Sequence, residues 1–495
     1  MKALFFLIGV LPILVVASIT TQPYMYLDTD HPESGLFIEW RGGEGTVYYG
    51  TEDYSNNITG MNYVHLTGLV EHGHYQWFLV VDGDTSEMGS FQLDPGVGQS
   101  FKMALFGDTQ YLNDAVPRFF QAAANEQPDL IVVVGDMITT DNSAMPYLGD
   151  ELGLNKFFNL YPTLFANAIL LPVLGNHDYN TTERVSYFQS FFSHIPVTPF
   201  SDDPTVTAGM QIGMNYMVDY GNITFSVNNG QQSIDGGGWT HDKLKTWWRT
   251  KLDARISAGT LRPAVIGLCH YSQIGGSASY FGYIYQTRKG IAWFAGHTHV
   301  YRRTKWLKMG SYYPISAIDT SDVQADSHMV YCEAGQPAWP DACDAYDNGK
   351  IAKLDCQDRL MSLVTVSGEG ILQQRAVKVL NKNGVDDGDH AARDSFQIDF
   401  TQWVSDYLGT TRTIVAPALP TQTSFSIHSL EQQLFILPVV EGVMTLYHIN
   451  GRVLGRYMIR QGQVMLSTTL FNGVYFARIE LKDQPPFSLK WVVLH

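Results

Sequence analysis

Five short segments that hold Asp, Asn and His side chains are the part of this 495-residue chain best suited to chemistry. In chain order they are GDTQ, GDM, GNHD, CHYS and GHTH, at residues 107–110, 135–137, 175–178, 269–272 and 296–299. Carboxylates, an amide oxygen and imidazoles together suit a pair of metal ions, because oxygen donors favour iron, manganese or magnesium and imidazoles admit zinc. The segments therefore predict a dinuclear hydrolase.

Each segment lies at the end of a run of apolar residues, and the runs are MALF, LIVVV, AILLPVL, AVIGLC and IAWFA. Such runs are typical of buried β-strands, whereas a single Gly-Asp pair after a strand is usually an ordinary turn. The carboxyl ends of parallel strands meet at one edge of a sheet, where α/β proteins bind their ligands. Helical periodicity over residues 113–125, 154–167 and 241–256 alternates with the runs, so the pattern predicts an α/β layer architecture.

On these motifs the chain resembles the calcineurin-like metallophosphoesterase superfamily over about residues 101 to 310, and GHTHVYRR resembles the GHxHxYxR signature of purple acid phosphatases. The resemblance implies a two-sheet αββα sandwich, in which two mixed β-sheets pack face to face with helices outside. It also implies two divalent or trivalent metal ions, expected to be iron with zinc or manganese. The ligands that it implies are Asp108, Gln110, Asp136, Asn176, His270, His297 and His299.

The resemblance also assigns roles to individual residues. Asp136 would bridge the two ions. Asp108 and His299 would hold the first ion, and Asn176, His270 and His297 would hold the second. Metal-bound hydroxide would attack phosphorus in line. The predicted catalytic residues are His177, which would bond a phosphoryl oxygen or protonate the leaving group, and Asp178, which would either fix the tautomer of His177 or cap a helix.

Two positions depart from the family pattern. Gln110 stands where many members have histidine, so the first metal site is expected to be looser or richer in oxygen. Thr139 stands where purple acid phosphatases carry a tyrosine whose phenolate binds ferric iron, so the colour that this ligand gives is not expected. Arg302 and Arg303 follow His299 and could meet a substrate phosphate, but the resemblance favours a structural role for them.

Charge and length limit the classes of function. The net charge is −16, from 32 basic and 48 acidic residues, which argues against nucleic acid bound by the general surface. It does not exclude nucleotides, since metal ions would supply local positive charge. A chain of 495 residues exceeds what one hydrophobic core usually supports, so several domains are expected.

The amino end predicts export. Residues 1–18, MKALFFLIGVLPILVVAS, resemble a secretory signal peptide, with one Lys, an apolar stretch and small residues at its end. The stretch is short for a stable membrane span, and Pro12 weakens a transmembrane helix; a lasting membrane anchor is the alternative. The protein is therefore expected to be secreted or held at the cell surface.

Two β-rich modules are expected to flank a catalytic domain at residues 101–400. Residues 24–98 alternate in the manner of a small β-sandwich, and they resemble the fibronectin-like domain of plant-type purple acid phosphatases. A linker at 415–424 precedes a β-rich module at 425–495. Its LYHINGRVL and NGVYFARI segments resemble sorting domains of type IX secretion cargo in Bacteroidota-like bacteria, which would bring contact with secretion machinery; an ordinary accessory β-sandwich is the alternative.

The four cysteines suggest one disulfide in an exported chain. Cys269 is expected to be a small buried apolar residue at a strand end. One bridge is expected among Cys332, Cys343 and Cys356, with Cys332–Cys343 as the first choice, although the spacing alone leaves the pairing open.

Taken together, these features predict a secreted, dinuclear metal-dependent phosphatase that acts on small phosphomonoesters. A phosphodiesterase or nucleotide pyrophosphatase would use the same metal centre, and the sequence leaves this alternative open. The other alternative is a surface binding protein with a degenerate metal site, which Gln110 and Thr139 favour and the remaining intact ligands oppose.

Overall fold

A computed structural model gives the fold of this chain. It describes residues 19–110, 112–138, 150–178, 190–195, 215–228, 241–271, 284–309, 314–326, 328–337 and 349–410, and seven strands between 427 and 493. The predicted signal peptide, the linker at 415–424, Thr139 and Cys343 lie outside the described residues. The chain divides into two compact units, Met1–Val404 and Ser405–His495. No helix in the described ranges is long and apolar enough to cross a membrane.

The first unit begins with an antiparallel sheet whose strands, as far as the chain is described, are β1 (Thr21–Leu27), β2 (Leu36–Gly50), β3 (Asn56–Leu66), β4 (His74–Val81), β5 (Asp84–Thr85) and β6 (Gly89–Gln92). The sequence pattern separates GLFIEWR from GTVYYGT, whereas β2 runs through both segments. Gly42 and Gly43 have φ of 140° and 111°, and the register with β3 shifts between Glu39 and Glu44. Glycine reaches these φ values without strain, so the strand bulges here instead of ending.

This sheet packs against the turn at residues 190–195 through a buried carboxyl group. Glu39 accepts hydrogen bonds from the hydroxyls of Tyr24 at 3.1 Å, Ser193 at 3.2 Å and Tyr26. Arg41 donates to the carbonyl oxygen of Ser190 at 2.6 Å. Burial raises the pKa of Glu39 to about 7, although these donors lower it. The amino-terminal sheet is therefore joined to the catalytic part of the same unit by polar as well as apolar contacts.

The rest of the first unit alternates strands and helices. Its elements are β7 (Phe101–Phe106), α1 (Ala115–Asn125), β8 (Leu130–Val134), α2 (Asp150–Asn159), α3 (Pro162–Asn167), β9 (Ile169–Val173), β10 (Tyr216–Tyr220), β11 (Ile223–Asn228), α4 (His241–Ala258), β12 (Ala264–Cys269), β13 (Gly290–Ala295), β14 (Tyr301–Thr304), β15 (Trp306–Met309), β16 (Pro314–Ile318), β17 (Asp322–Gln324), β18 (Val330–Ala334), β19 (Ile351–Asp355), β20 (Asp358–Val366), β21 (Ile371–Asn381) and β22 (Ala392–Asp399). The next helix, α5 (Thr401–Thr410), contains the division between the two units after Val404. The mixed α/β architecture predicted from the alternation is confirmed.

Among the described strands, two mixed seven-stranded sheets form the core. One has the order β17-β22-β21-β20-β7-β8-β9, with β7, β8 and β9 parallel; the other has the order β10-β11-β12-β13-β18-β14-β19, with β11, β12, β13 and β18 parallel. The sheets touch through side chains: the rings of Phe101 and Phe225 lie 6.2 Å apart, and the hydroxyl of Tyr301 donates to Asp394 at 2.8 Å. Strands β8, β9, β12 and β13 are buried along their whole length, as parallel strands covered on both faces must be.

Helices cover the outer faces of the two sheets. Phe119 and Phe120 of α1 pack on Phe106 of β7, and Trp248 of α4 lies in a buried cluster with Trp293 of β13. The single helix predicted over residues 154–167 is two helices, α2 and α3. Pro162 has no N–H to continue α2 and disfavours a helical residue before it, and Tyr161 accordingly has φ −154°.

The cysteines differ from the first expectation. Cys332 is a free thiol buried in β18, and Cys356 is disulfide-bonded, so a Cys332–Cys343 bridge is wrong. Cys332 lies inside the second sheet, where its side chain packs as a small apolar residue. Cys269 is likewise free and buried, which confirms that expectation.

The second unit contains only antiparallel pairs within its described residues. Its strands are β23 (Ile427–Leu430), β24 (Gln433–Ile436), β25 (Gly442–His448), β26 (Val453–Ile459), β27 (Gln463–Met465), β28 (Gly473–Leu481) and β29 (Phe487–Val493). They form a sheet with the order β23-β24-β27 and another with the order β26-β25-β28-β29.

Candidate metal centre

The five polar segments come together at one edge of the two core sheets. Three of them follow the parallel strands β7, β8 and β9 of one sheet, and two follow β12 and β13 of the other. Their contacts across the gap are direct. The imidazole of His270 donates from Nδ1 to the carbonyl oxygen of Val134 at 2.8 Å, and the backbone N–H of His297 donates to the carboxylate of Asp108.

Four side chains form the tighter half of the site. Ligand atoms of Asp136, His270 and His297 all lie within 4.8 Å of one another. The amide oxygen of Asn176 lies 2.9 Å from Nε2 of His270 and 2.9 Å from Nδ1 of His297. Nε2 of His270 is also 3.1 Å from Oδ2 of Asp136. Because Nδ1 of His270 is engaged by Val134, Nε2 is the nitrogen left to act as a ligand.

Three side chains form the looser half. Nε2 of His299 lies 3.6 Å from Oδ1 of Asp108 and 3.1 Å from Nε2 of Gln110. Gln110 is almost completely buried, and its Oε1 has no hydrogen-bond partner among the described atoms. A buried amide oxygen without a partner costs free energy, which a cation at this position would offset.

The donor set fits metal ions. Ligand atoms about 2.1 Å from one ion can lie at most about 4.2 Å from each other, close to the separations among Asp136, His270 and His297. Two imidazole nitrogens with carboxylate and amide oxygens suit borderline cations, and the oxygen-rich half around Asp108 and Gln110 suits harder ones.

Backbone conformation at the site is unusual. Asp108, Asp136, His297 and His299 have φ of 56°, 54°, 76° and 51°, in the left-handed region that residues other than glycine seldom adopt. Each such residue costs on the order of 1–3 kcal/mol and persists only where its surroundings hold it. Each of the four residues lies in a turn after a strand. The left-handed conformation there directs a side chain or a backbone amide toward the site.

Asp136 and His270 shift each other's pKa values. Burial lowers the pKa of His270, but the carboxylates of Asp136 and Asp108 and the hydrogen bond to Val134 together raise it to about 9. Burial raises the pKa of Asp136, but His270 and His177 together bring it below its usual value. The two groups therefore form an ion pair at neutral pH, and a metal ion must displace the proton of His270.

The pKa values of His297 and Asp108 are shifted in opposite directions. Burial, with a contribution from His270, lowers the pKa of His297 to about 4, so this imidazole is neutral and able to bind a cation. Burial raises the pKa of Asp108 to about 6, although the nearby His299 lowers it. A bound cation would favour the ionised form of this carboxyl group.

Asp178 joins the second and third segments. Its carboxylate accepts hydrogen bonds from the backbone N–H groups of Gly175 at 2.8 Å, Asp136 at 2.9 Å and Ile138 at 3.2 Å. Burial and then the charge of Asp136 raise its pKa to about 8, against these donors. Asp178 thus ties the loop after β8 to the loop after β9, a role that neither sequence expectation described.

His177 lies at the rim of the site. Its backbone N–H donates to Oδ1 of Asp136 at 2.7 Å, and its ring nitrogen Nε2 lies 3.9 Å from Oδ2 of Asp136. About a quarter of its side chain is exposed to solvent, unlike the buried imidazole of His270. A bound molecule could therefore reach this ring.

Sequence reasoning missed Thr298, Glu333 and Gln336, which support the ligands from behind. Thr298 and Arg302 both contact the buried carboxylate of Glu333, and the side chain of Gln336 donates to the carbonyl oxygen of His299 at 2.8 Å. The run MVYCEAG at 329–335 is also a buried strand followed by Gly, the pattern found at four of the five segments, all except CHYS. Arg303 is buried and pairs with Asp394, which agrees with the structural role expected for it.

Comparison with known proteins agrees with this geometry. Residues 101–301 match the family model described as calcineurin-like phosphoesterase. No curated protein sequence matches the chain. Among solved structures, the chain is similar to purple acid phosphatase PPD1 from yellow lupin (Lupinus luteus) seeds, with 16% identity, coverage of 77% of this chain and 75% of that chain, and a TM-score of 0.54. It is also similar to PhoD, with 11% identity, coverage of 80% of this chain and 99% of that chain, and a TM-score of 0.56.

At these identities the structural similarities establish the fold, while the family match covers all five polar segments. The resemblance inferred from the motifs is confirmed. Residues 101–301 form a calcineurin-like phosphoesterase domain, and the protein is a metal-dependent phosphoester hydrolase.

Proposed function

We propose that this protein is a secreted phosphatase that hydrolyses small phosphomonoesters at a centre of two metal ions. The observation that carries the proposal is the convergence of Asn176, His270 and His297 on one side of Asp136. Asp108, His299 and Gln110 form a second group: the ring of His299 lies 3.6 Å from the carboxylate of Asp108 and 3.1 Å from the amide nitrogen of Gln110. This arrangement offers a ligand set for each of two ions.

Asp136 is the proposed bridging ligand. Asn176, His270 and His297 would hold one ion, and Asp108, His299 and the amide oxygen of Gln110 would hold the other. When bound, the ions would supply Lewis acidity, which activates water and offsets charge on the phosphoryl oxygens. Iron with zinc or manganese is the proposed metal content, because the donors combine nitrogen and oxygen.

His177 is the proposed catalytic residue among the groups that are not ligands. Its partly exposed ring lies beside Asp136, where it can donate a proton to a phosphoryl oxygen or to the leaving group. Asp178 acts through the loops that it joins and is therefore a positioning residue.

The remaining parts of the proposal rest on sequence resemblance. Residues 1–18 would direct export. Residues 24–98, which contain most of the amino-terminal sheet, would be a fibronectin-like module. Residues 425–495 would be a sorting module that contacts a secretion machinery. The protein would then act outside the cell or at its surface.

Substrate class is tested by comparing hydrolysis of p-nitrophenyl phosphate with that of its bis-ester, with iron, zinc or manganese added to purified protein. Faster monoester turnover is expected. Preference for the bis-ester would assign the chain to the phosphodiesterases instead, and absence of turnover with every metal would favour a binding role.

The role of His177 is tested in the same assay. His177→Asn should retain bound metal and lose turnover on the order of 100-fold or more, the usual contribution of a positioned acid or base. An unchanged rate would remove His177 from the mechanism, whereas lost metal would make it a ligand.

A further inference from the structure

The turn that carries His297 and His299 is held by a buried carboxylate from a different strand. Glu333 is in β18, between β13 and β14: it is paired with Ala295, just before the turn, and with Arg302, just after it. Glu333 thus reaches both ends of the turn through the sheet.

The side-chain contacts complete this arrangement. Thr298, the residue between the two histidines, donates its hydroxyl proton to Oε2 of Glu333. The guanidinium of Arg302 donates to Oε1 of the same carboxylate. Glu333 is 1% exposed and Arg302 is 3% exposed, so this ion pair is shielded from water. The hydroxyl of Thr298 is fixed by a charge-assisted bond, which is among the stronger hydrogen bonds in proteins.

A second contact fixes the end of the turn. The side chain of Gln336, three residues after Glu333, donates to the carbonyl oxygen of His299 at 2.8 Å. Between them, the carbonyl oxygen of Gly335 accepts the N–H of Gly107 at 3.2 Å, next to the ligand Asp108. Gly335 has φ of 90°, and a Cβ there would lie 2.1 Å from the carbonyl oxygen of Leu360, so the segment requires glycine.

These contacts act on a strained backbone. His297 and His299 both have positive φ, and neither is a glycine. Such conformations persist when several contacts with neighbouring groups hold the backbone in place. Thr298, held by Glu333, lies between the two strained residues.

We propose that Glu333, through Thr298, is a positioning residue that presents His297 and His299 to the metal ions, with Gln336 as its second support. The inference rests on the proposed function, because it assigns the two histidines as ligands. Outer contacts of this kind typically change metal affinity by about 10- to 100-fold when they are lost.

The test is the affinity of the metal-free full chain for Mn²⁺ alone, measured for the wild type, Thr298→Val and Thr298→Ser. Valine keeps the shape of threonine and removes the hydroxyl, whereas serine keeps the hydroxyl. Thr298→Val should weaken Mn²⁺ binding by about 10-fold or more, and Thr298→Ser should restore most of it. Thr250→Val is the matched control, because Thr250 is exposed on α4 and its hydroxyl donates to the carbonyl oxygen of Thr246 one turn earlier.

Thr298→Val is preferred to Glu333→Gln because loss of the carboxylate would leave the buried Arg302 without its ionic partner and could prevent folding. Measurement well below the melting temperature of each folded variant separates metal binding from stability. Equal Mn²⁺ affinities for wild type and Thr298→Val would overturn this inference and leave the proposed function standing. A wild type that binds no Mn²⁺, iron or zinc would overturn both.

Discussion

The backbone N–H of His297 donates to both carboxylate oxygens of Asp108, at 3.0 and 3.1 Å, although 189 residues separate them. This contact joins the last polar segment to the first and crosses from one core sheet to the other. It fixes the carboxylate while leaving its outer lone pairs free for a cation. The fold itself therefore brings the first and last polar segments together.

Asp178→Asn tests whether the loops after β8 and β9 must be held together. The carboxylate accepts three backbone N–H bonds, and an amide would present an NH₂ group to part of this donor set. We expect a loss of about 2 kcal/mol in the free energy of unfolding and weaker metal binding. Chemical denaturation and metal titration would measure the two effects.

The matched control for this change is Asp114→Asn, at an exposed position before α1 where the side chain makes no capping hydrogen bond. It should leave both quantities within the error of the wild type. If Asp178→Asn behaved like Asp114→Asn, the account of the two loops would be wrong.

Metal affinity should rise with pH because His270 must lose a proton to become a ligand. Its pKa is about 9, so the imidazole is protonated at neutral pH, and proton and cation compete for Nε2. Apparent affinity should increase by up to about tenfold per pH unit between about pH 6.5 and pH 8.5. His297, with its pKa near 4, should add no slope in this range. Affinity that stays flat across these pH values would show that His270 is not displaced from Asp136.

Gln110→His tests the looser half of the site. Imidazole is a stronger ligand than an amide oxygen for borderline cations, and Gln110 already lies 3.1 Å from the ring of His299. We expect affinity for the more weakly held ion to rise on the order of tenfold, about 1.4 kcal/mol. Gln110→Ala, which removes the donor, should lower it. Identical zinc titrations for both variants and the wild type would exclude residue 110 from the site.

The strands and the positions of the polar segments could be predicted from the sequence because buried parallel strands leave a strong local signal. LIVVV is β8 and AVIGLC is β12, residue for residue. Helices were less exact, because the effect of Pro162 on Tyr161 splits one periodic stretch into two helices. Local pattern alone therefore finds elements better than it finds their ends.

The supporting contacts of the site could not be predicted, because they depend on which strands become neighbours. Glu333 reaches Thr298 only because β18 lies between β13 and β14, an order that no local pattern specifies. The same holds for the carbonyl oxygen of Val134, which sets the tautomer of His270 from the other sheet. The burial of Cys332 in β18, which rules out the expected Cys332–Cys343 bridge, is likewise a property of the assembled sheet.

The most direct test of the central claim is the number of metal ions bound per chain in the wild type and in Asp136→Asn, with Asp114→Asn as the control. Because Asp136 is the proposed bridge, the wild type and the control should bind about two ions and hydrolyse p-nitrophenyl phosphate, whereas Asp136→Asn should bind less than about one and lose turnover. Two ions and full turnover in Asp136→Asn would contradict the account.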